Sequence, residues 1–413
     1  MSSASSADAE TLVREVVSRS REALEIVRKY AHKTPVEVSA TFSSMAGGKV
    51  LLKYENLQKT GAFKVRGALY KVYKIKDKYE GVVAASAGNH AQGVAYAAKI
   101  FGLKAVIVMP EGAPISKIEA TKGYGAEVIL AGRLFDETLK VALRIAEERN
   151  YAFIHAFDDI DIIAGQATIA YDLMEQVEGF DQVIVPVGGG GLISGVGAVL
   201  KYYRPYVSVI GVEPEAAPKT LEALKAGRPV EVQTGSTIAD GLLVKKIGNL
   251  TFKIIQRVVD GVYLVGEDEI AHAIYLLLER GKVLAEGAGA ISLAALLSGK
   301  ISARNRTSIA IISGGNIDLT HIYRIILRGL AREGRLARIR GFVRDSPGQL
   351  RTVLDIIARH RGNVIGIQHD RIDPHIPAWH ALVTITFEAM GREVIRKILD
   401  ELSSAGYSFE EVS

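Results

Sequence analysis

The 413-residue chain contains no cysteine. Disulfides, thiolate metal sites, cysteine nucleophiles and cysteine-ligated clusters are excluded together. No apolar run approaches the roughly 20 residues of a membrane span, and the polar, serine-rich start has no apolar signal segment. Lys and Arg exceed Asp and Glu by only 51 to 46, with no block of like charges and no basic arm or stripe. We therefore expect a soluble, cytoplasmic protein with no nucleic-acid or membrane partner.

What is present is glycine. The chain has 41, about a tenth of its residues against a typical share of roughly 7%. At 48% hydrophobic and 23% charged, the rest is ordinary globular composition. The length exceeds the roughly 250–300 residues at which single cores stop growing, so two or three domains are expected.

Residues 8–30 read as an amphipathic helix, with Val13, Val16, Val17, Leu24 and Val27 near a 3.6-residue period; Thr34-Pro35 ends it. β-branched runs follow at Gly81–Ala85, Lys104–Met109, Glu127–Leu130, Gln182–Val187, Val207–Val212 and Ser308–Ile312, separated by helical patterns. That alternation predicts a mostly parallel α/β arrangement whose sites collect at the carboxyl ends of strands. After Gly334 the pattern changes to strand (Leu336–Val343), helix (Pro347–His360), strand (Asn363–His369), strand (Trp379–Phe387), helix (Arg392–Ala405) and strand (Ser408–Val412). This is a βαββαβ, ferredoxin-like plan.

Three of the predicted strands run into glycine-rich turns. In Pro186–Gly195 four consecutive glycines expose backbone N–H groups at a helix N-terminus, a natural seat for phosphate. No register satisfies Gly-x-Gly-x-x-Gly, and no Gly-Lys is followed by Ser or Thr, so neither common nucleotide fingerprint is present. A flexible turn is the plainer reading. Lys64 lies between Phe63 and Val65 among small residues, where crowding would lower an amine's pKa and make it nucleophilic; a surface lysine on a turn fits this segment equally well. Ser86–Gln92 offers backbone N–H groups and Asn89 to a carboxylate. His90 there invites a general-base reading, with a structural donor as the alternative. Ser313–Asn316 repeats the small-polar strand ending.

Together AFKVRGA (62–68), SAGNHAQGVA (86–95), VPVGGGGLISG (185–195), TIADGL (237–242) and SGGN (313–316) resemble the threonine/serine dehydratases. These are fold type II enzymes that use pyridoxal 5′-phosphate. Five motifs in order over roughly residues 10–330 carry the match. The tail, with Asp345-Ser346-Pro347-Gly348 at its first strand–helix turn, resembles an ACT domain, a regulatory amino-acid-binding module. The resemblance implies two open twisted α/β lobes in residues 1–333, the smaller spanning roughly 55–155, and a βαββαβ domain at 334–413. It implies β-elimination of L-threonine, and of L-serine, to a 2-oxo acid and ammonia.

Residue roles carry over from that resemblance. Lys64 matches the lysine that carries the cofactor, and Phe63 the residue beneath its ring. The N–H groups of Gly188, Gly189, Gly190, Gly191 and Leu192 match the phosphate cup. Asn89 matches the partner of the ring oxygen, and Gly241 lies in a segment flanking the cofactor. Ser86, Ala87, Gly88, Asn89 and His90 match the substrate-carboxylate loop. Ser313 matches the partner of the ring nitrogen. A serine hydroxyl does not hold a pyridine protonated as an aspartate would, which suits elimination better than transamination.

Departures from the family pattern are informative. Serine racemases carry a second serine in the carboxylate loop, where this chain has Ala87, so racemisation is disfavoured. β-Replacement enzymes of the same fold differ around both the lysine and this loop. Relatives bind a divalent cation through a Glu, a backbone carbonyl and an Asp; Glu213 matches the Glu, but Lys219 stands at the Asp position, so no metal site is expected. His369, His375 and His380 with Asp370 and Asp373 are accounted for by a hairpin turn. In the tail, Asp345, Pro347 and Gly348 are the candidate effector residues, for isoleucine or valine. A ligand-free dimerisation module is the alternative. The family analogy further implies a homotetramer in isoleucine biosynthesis or amino-acid catabolism.

Overall fold

The computed structural model describes residues 3–412 and divides into two units, one ending at Asp318 and the other starting at Leu319. In the first unit the strands are β1 (Val36–Val38), β2 (Lys49–Tyr54), β3 (Gly81–Ala85), β4 (Lys104–Met109), β5 (Glu127–Leu130), β6 (Ala152–Phe153), β7 (Gln182–Pro186), β8 (Ser208–Pro214), β9 (Gly261–Val265) and β10 (Thr307–Ile312). They form a six-stranded sheet of order β1-β2-β10-β7-β8-β9 and a four-stranded sheet of order β5-β4-β3-β6. All pairings are parallel except β1 with β2.

Central strands of parallel sheets are covered on both faces, so their sequences run continuously apolar. β3 and β7 are buried along their whole length. Helices Ile160–Gln176 and Gly191–Tyr203 pack onto the larger sheet through Ile163, Leu173, Ile193 and Val196, all buried. Helices Lys64–Ile75 and Asn89–Phe101 supply Val65, Leu69, Val94 and Ala98 to the core under the smaller sheet.

A buried ionic cluster fixes the helix that begins at Lys64. Arg66 donates to both carboxylate oxygens of Glu55, each at 2.8 Å, and to Asp172 at 2.7 Å. Lys53 adds Asp172 at 3.3 Å and the Thr34 carbonyl at 2.7 Å. With each charge paired and hydrogen-bonded, the cluster avoids the penalty of an isolated buried ion.

The expected runs at β3, β4 and β5 have the bounds read from sequence. β8 reaches Pro214, two residues past the expected end, because β9 pairs with Ile210–Pro214. β1, β2, β6 and β9 lie outside the runs named above. The first helix spans Ser3–Tyr30, starting before residue 8.

The second unit opens with helix Leu319–Arg332, followed by β11 (Leu336–Arg344), helix Gln349–Arg359, β12 (Asn363–Asp370), β13 (His380–Glu388), helix Arg392–Ser404 and β14 (Ser408–Glu411). Its antiparallel sheet has the order β12-β13-β11-β14. β11 alternates buried and exposed residues, as a strand with one covered face should. Its Ile339 and Val343 pack with Val383, Ile385, Phe387, Ile356 and Ile398. The expected βαββαβ order is present, but its first helix starts at Gln349 rather than Pro347. Gly348 caps it with φ at +92°, a conformation glycine adopts without strain.

Candidate active site

β7 delivers the chain to Gly188–Gly191, and helix Gly191–Tyr203 begins there with Gly190 in the left-handed region at φ +96°. The first N–H groups of a helix have no carbonyl four residues behind them and are free for an anion. Crowding requires glycine at 189 and 190, and φ requires it at 190. A Cβ on Gly189 would fall 2.2 Å from the Phe157 ring, and one on Gly190 would fall 2.9 Å from Thr251 and Ile255. Thr251 donates its hydroxyl to the Gly189 carbonyl at 2.7 Å, and Asp158 caps the helix bearing Thr251 by accepting from the N–H groups of Asn249, Leu250 and Thr251. The loop is a braced cradle rather than a slack turn.

Lys64 opens its helix, with Nζ donating to the Ala156 carbonyl at 2.9 Å and standing 5.3 Å from the centre of the Phe63 ring. Ala156 precedes the Phe157 that covers the glycine cradle, so amine and cradle share one wall. Burial pushes the Lys64 pKa down to about 8, against the opposing pull of the Glu286 carboxyl. The surface-lysine reading is set aside.

β3 ends in Ser86–Gly88, and Asn89 begins the next helix. Its amide donates to Glu286 Oε1 at 2.6 Å and accepts from Asn316 Nδ2 at 2.7 Å. Ser86 Oγ accepts from the Gly88 N–H at 3.2 Å, which folds this turn on itself. His90 is buried with Nε2 2.9 Å from the Ile154 carbonyl. A carbonyl only accepts, so Nε2 carries the proton. Burial and the nearby Lys64 drive the His90 pKa down to about 3. His90 is a neutral structural donor, and the general-base reading gives way to the alternative.

β10 ends in Ser313, whose buried hydroxyl donates to the Ala288 carbonyl at 3.1 Å and whose own carbonyl accepts from Phe63 N–H at 3.0 Å. Ala62 and Gly314 form an antiparallel bridge, and Gly315 donates to the Gly61 carbonyl. Gly241 sits in a short 3₁₀ turn, its carbonyl 3.4 Å from where a Gly188 Cβ would be. The carbonyl of Gly241 therefore lies against the cradle, while Ser313 is tied to Phe63, the residue before Lys64, and Asn89 lies against Gly314.

Glu286 belongs to this cluster and was not singled out from sequence. It precedes helix Gly287–Leu297, is almost fully buried, and burial, reinforced by Asp240, raises its pKa to about 7. Its sequence context, AEGAGA, signals only a glycine-rich helix start.

A near-neutral buried amine, a cradle that any side chain would fill and a buried hydroxyl suit an aldehyde, a phosphate and a ring nitrogen respectively, so the residues fit pyridoxal phosphate. In the second unit Asp345 pairs with Arg371 Nε at 3.0 Å, beside Pro347 and the helix cap Gly348. Among the described residues no group of three or more His, Asp or Glu is placed to hold a metal ion.

Residues 27–314 match the model of the pyridoxal-phosphate dependent enzymes, and residues 338–406 that of the ACT domain. An L-threonine ammonia-lyase of Thermotoga maritima is 46% identical over 94% of this chain and 97% of its own length. A solved threonine deaminase isoform 2 of Solanum lycopersicum matches with a TM-score of 0.72 at 35% identity, covering 76% of this chain and 92% of that one. A serine racemase of Dictyostelium discoideum matches at 0.69 and 40%, covering 74% and 99%. With the lysine, the cradle and the buried serine converging as they do, the chain belongs to the pyridoxal-phosphate dependent enzyme family and carries an ACT domain behind its catalytic part.

Proposed function

We propose that this chain is an L-threonine ammonia-lyase that also accepts L-serine, releasing 2-oxobutanoate or pyruvate and ammonia. The observation that carries this reading is the Lys64 amine held on the Ala156 carbonyl and within the electrostatic reach of Glu286, which Asn89 holds, beside a turn where Ala87 offers no second acid or base. The alternative is racemisation or β-replacement on the same fold; the missing second proton donor weighs against racemisation.

Bound at this site, pyridoxal phosphate supplies an aldehyde for the substrate amine and a ring that takes up electron density as the α-proton leaves. The first-turn N–H groups of Gly188, Gly189, Gly190, Gly191 and Leu192 would hold its phosphate. Phe63 would support the ring, Asn89 would serve the ring oxygen, Gly241 would flank the cofactor, and Ser313 would serve the ring nitrogen. The Ser86–His90 turn, through the N–H groups of Ala87, Asn89 and His90 and the Ser86 hydroxyl, would hold the substrate carboxylate and so orient the α-proton toward Lys64; the Ser86 N–H is taken by the Val108 carbonyl and that of Gly88 by Ser86 Oγ. Nζ, whose burial lowers its pKa to about 8 so that it sheds its proton far more readily than an ordinary lysine, takes that proton. The β-hydroxyl leaves as water, the proton it gains balancing the one taken from the α-carbon, and one water is consumed when the enamine product is hydrolysed to the 2-oxo acid and ammonia.

We further infer a working boundary near residue 334 between a catalytic part with two lobes and the ACT domain. The effector is isoleucine or valine near Asp345, Pro347 and Gly348, and the enzyme is a cytoplasmic homotetramer serving isoleucine biosynthesis or amino-acid breakdown. A steady-state 2-oxo acid assay on L-threonine and L-serine, with and without isoleucine or valine, tests this reading. Absence of 2-oxobutanoate from L-threonine, or D-serine as the main product from L-serine, would overturn it.

A further inference from the structure

Lys219 is placed against local rules. It is the first residue of helix Lys219–Ala226, where the helix dipole disfavours a cation, and it is completely buried. Its ammonium has three protons and three acceptors: Glu213 Oε1 at 2.9 Å, the Val187 carbonyl at 2.8 Å and the Ala217 carbonyl at 3.3 Å. Glu213, also completely buried, accepts in addition from the N–H groups of Thr220 and Leu221. A carboxylate and two carbonyls are hard oxygen donors of the kind a divalent cation takes. Their centre here is filled by nitrogen, so these residues do not fit a metal ion.

The Val187 carbonyl is the one immediately before the glycine cradle. In a planar trans peptide the C=O of one residue and the N–H of the next point in opposite directions, so fixing the first fixes the second. Pinning the Val187 oxygen sets the direction of the Gly188 N–H, as Thr251 on the Gly189 oxygen sets that of Gly190. Glycine has no side chain to hold these peptide planes by packing.

We propose that the Lys219 ammonium is a resident cation that takes the place of a divalent ion among Glu213, Val187 and Ala217, and that it is a positioning residue for the cofactor phosphate through the Gly188 N–H. The proposal rests on the reading of Gly188–Leu192 as the phosphate cup. The enzyme then needs no metal, and Lys219→Asp, which replaces the ammonium by a second carboxylate, converts the site into one that does.

The test is uptake of pyridoxal phosphate by full-length apoenzyme, measured with chelator and with millimolar magnesium or calcium chloride. Wild type should bind equally well in all three. Lys219→Met should bind about tenfold to a hundredfold more weakly in all three, as expected for losing hydrogen bonds from a charged group. Lys219→Asp should be as weak with chelator and regain affinity with either cation. Wild type that gains affinity with a divalent ion, Lys219→Met that binds like wild type, or Lys219→Asp that ignores both cations would each overturn the proposal. Should Lys219→Asp prove insoluble, preparing it with and without magnesium reads the same contrast: soluble protein only with the ion supports the proposal, and insolubility in both overturns it. Wild type that takes up no cofactor would overturn the cup reading and this proposal with it, whereas equal binding by wild type and Lys219→Met overturns this proposal alone.

Discussion

Asn89 donates its side-chain amide to Glu286 across 2.6 Å of space and 197 positions of sequence, joining the turn after β3 to the start of helix Gly287–Leu297. Because burial raises the Glu286 pKa from 4.5 to about 7, the folded apoenzyme binds a proton in a range where the unfolded chain has released it. The associated stability is fully present below pH 4.5 and is lost as pH rises through about 7. Apoenzyme melting temperature should fall over that window, and Glu286→Gln should flatten the fall. Superimposable pH profiles for the two proteins would remove Glu286 from this role.

The Lys64 amine is deprotonated near pH 8 instead of near 10.5. Cofactor uptake by apoenzyme should accelerate with pH around a midpoint of about 8, and borohydride reduction followed by peptide mapping should label Lys64. Lys64→Ala should lower kcat by about a hundredfold to ten-thousandfold, the usual range for a lost acid–base group. Full activity in that variant would rule out Lys64 as the base.

Gly189→Ala places a methyl group within the Phe157 ring's own volume. Overpacking of this kind typically costs about 1–3 kcal/mol, and the displaced loop should release cofactor on dialysis while the substrate-free fold persists. Cofactor retention equal to wild type would show that Phe157 gives way freely.

Arg66→Met leaves the buried carboxylates of Glu55 and Asp172 with Lys53 alone. Removing one partner from such a cluster costs about 3–5 kcal/mol. Urea unfolding should show that loss as a lower midpoint with an unchanged slope. A midpoint within error of wild type would show that Lys53 suffices.

Ending the chain after residue 333 should leave threonine deamination measurable and abolish any change in its rate on adding isoleucine. Genuine regulation requires the two sites to be energetically coupled, so an isoleucine response that survives the truncation would place the effector elsewhere.

The sheet was legible where physics writes it locally. β3, β4 and β5 are short apolar runs bounded by turn residues, and the glycine repeat after β7 marks the helix start found there. β6 has two residues, too few for any period, and β9 alternates too weakly to stand out. Lys64, Asn89 and Ser313 stand out in the sequence because their flanking residues carry a family pattern. Glu286 was not, because its only signal is tertiary: an amide from Asn89 and a burial that no neighbour in sequence encodes. In sequence Lys219 is only a lysine where relatives have an aspartate; that its ammonium is seated among three oxygens shows only in the fold.

β10 lies between β2 and β7, pairing Ile309 with both Leu51 and Val183. During synthesis, β2 and β7 therefore leave the ribosome with their central partner still unmade. At roughly 5–20 residues per second, β2 waits on the order of ten to fifty seconds for it. Until then both strands present open edges, the state most prone to wrong pairing. Ser313 is added only one residue after β10 is complete. The nascent chain thus cannot bring Ser313 to Phe63 and Lys64 before the central strand of its main sheet has been made.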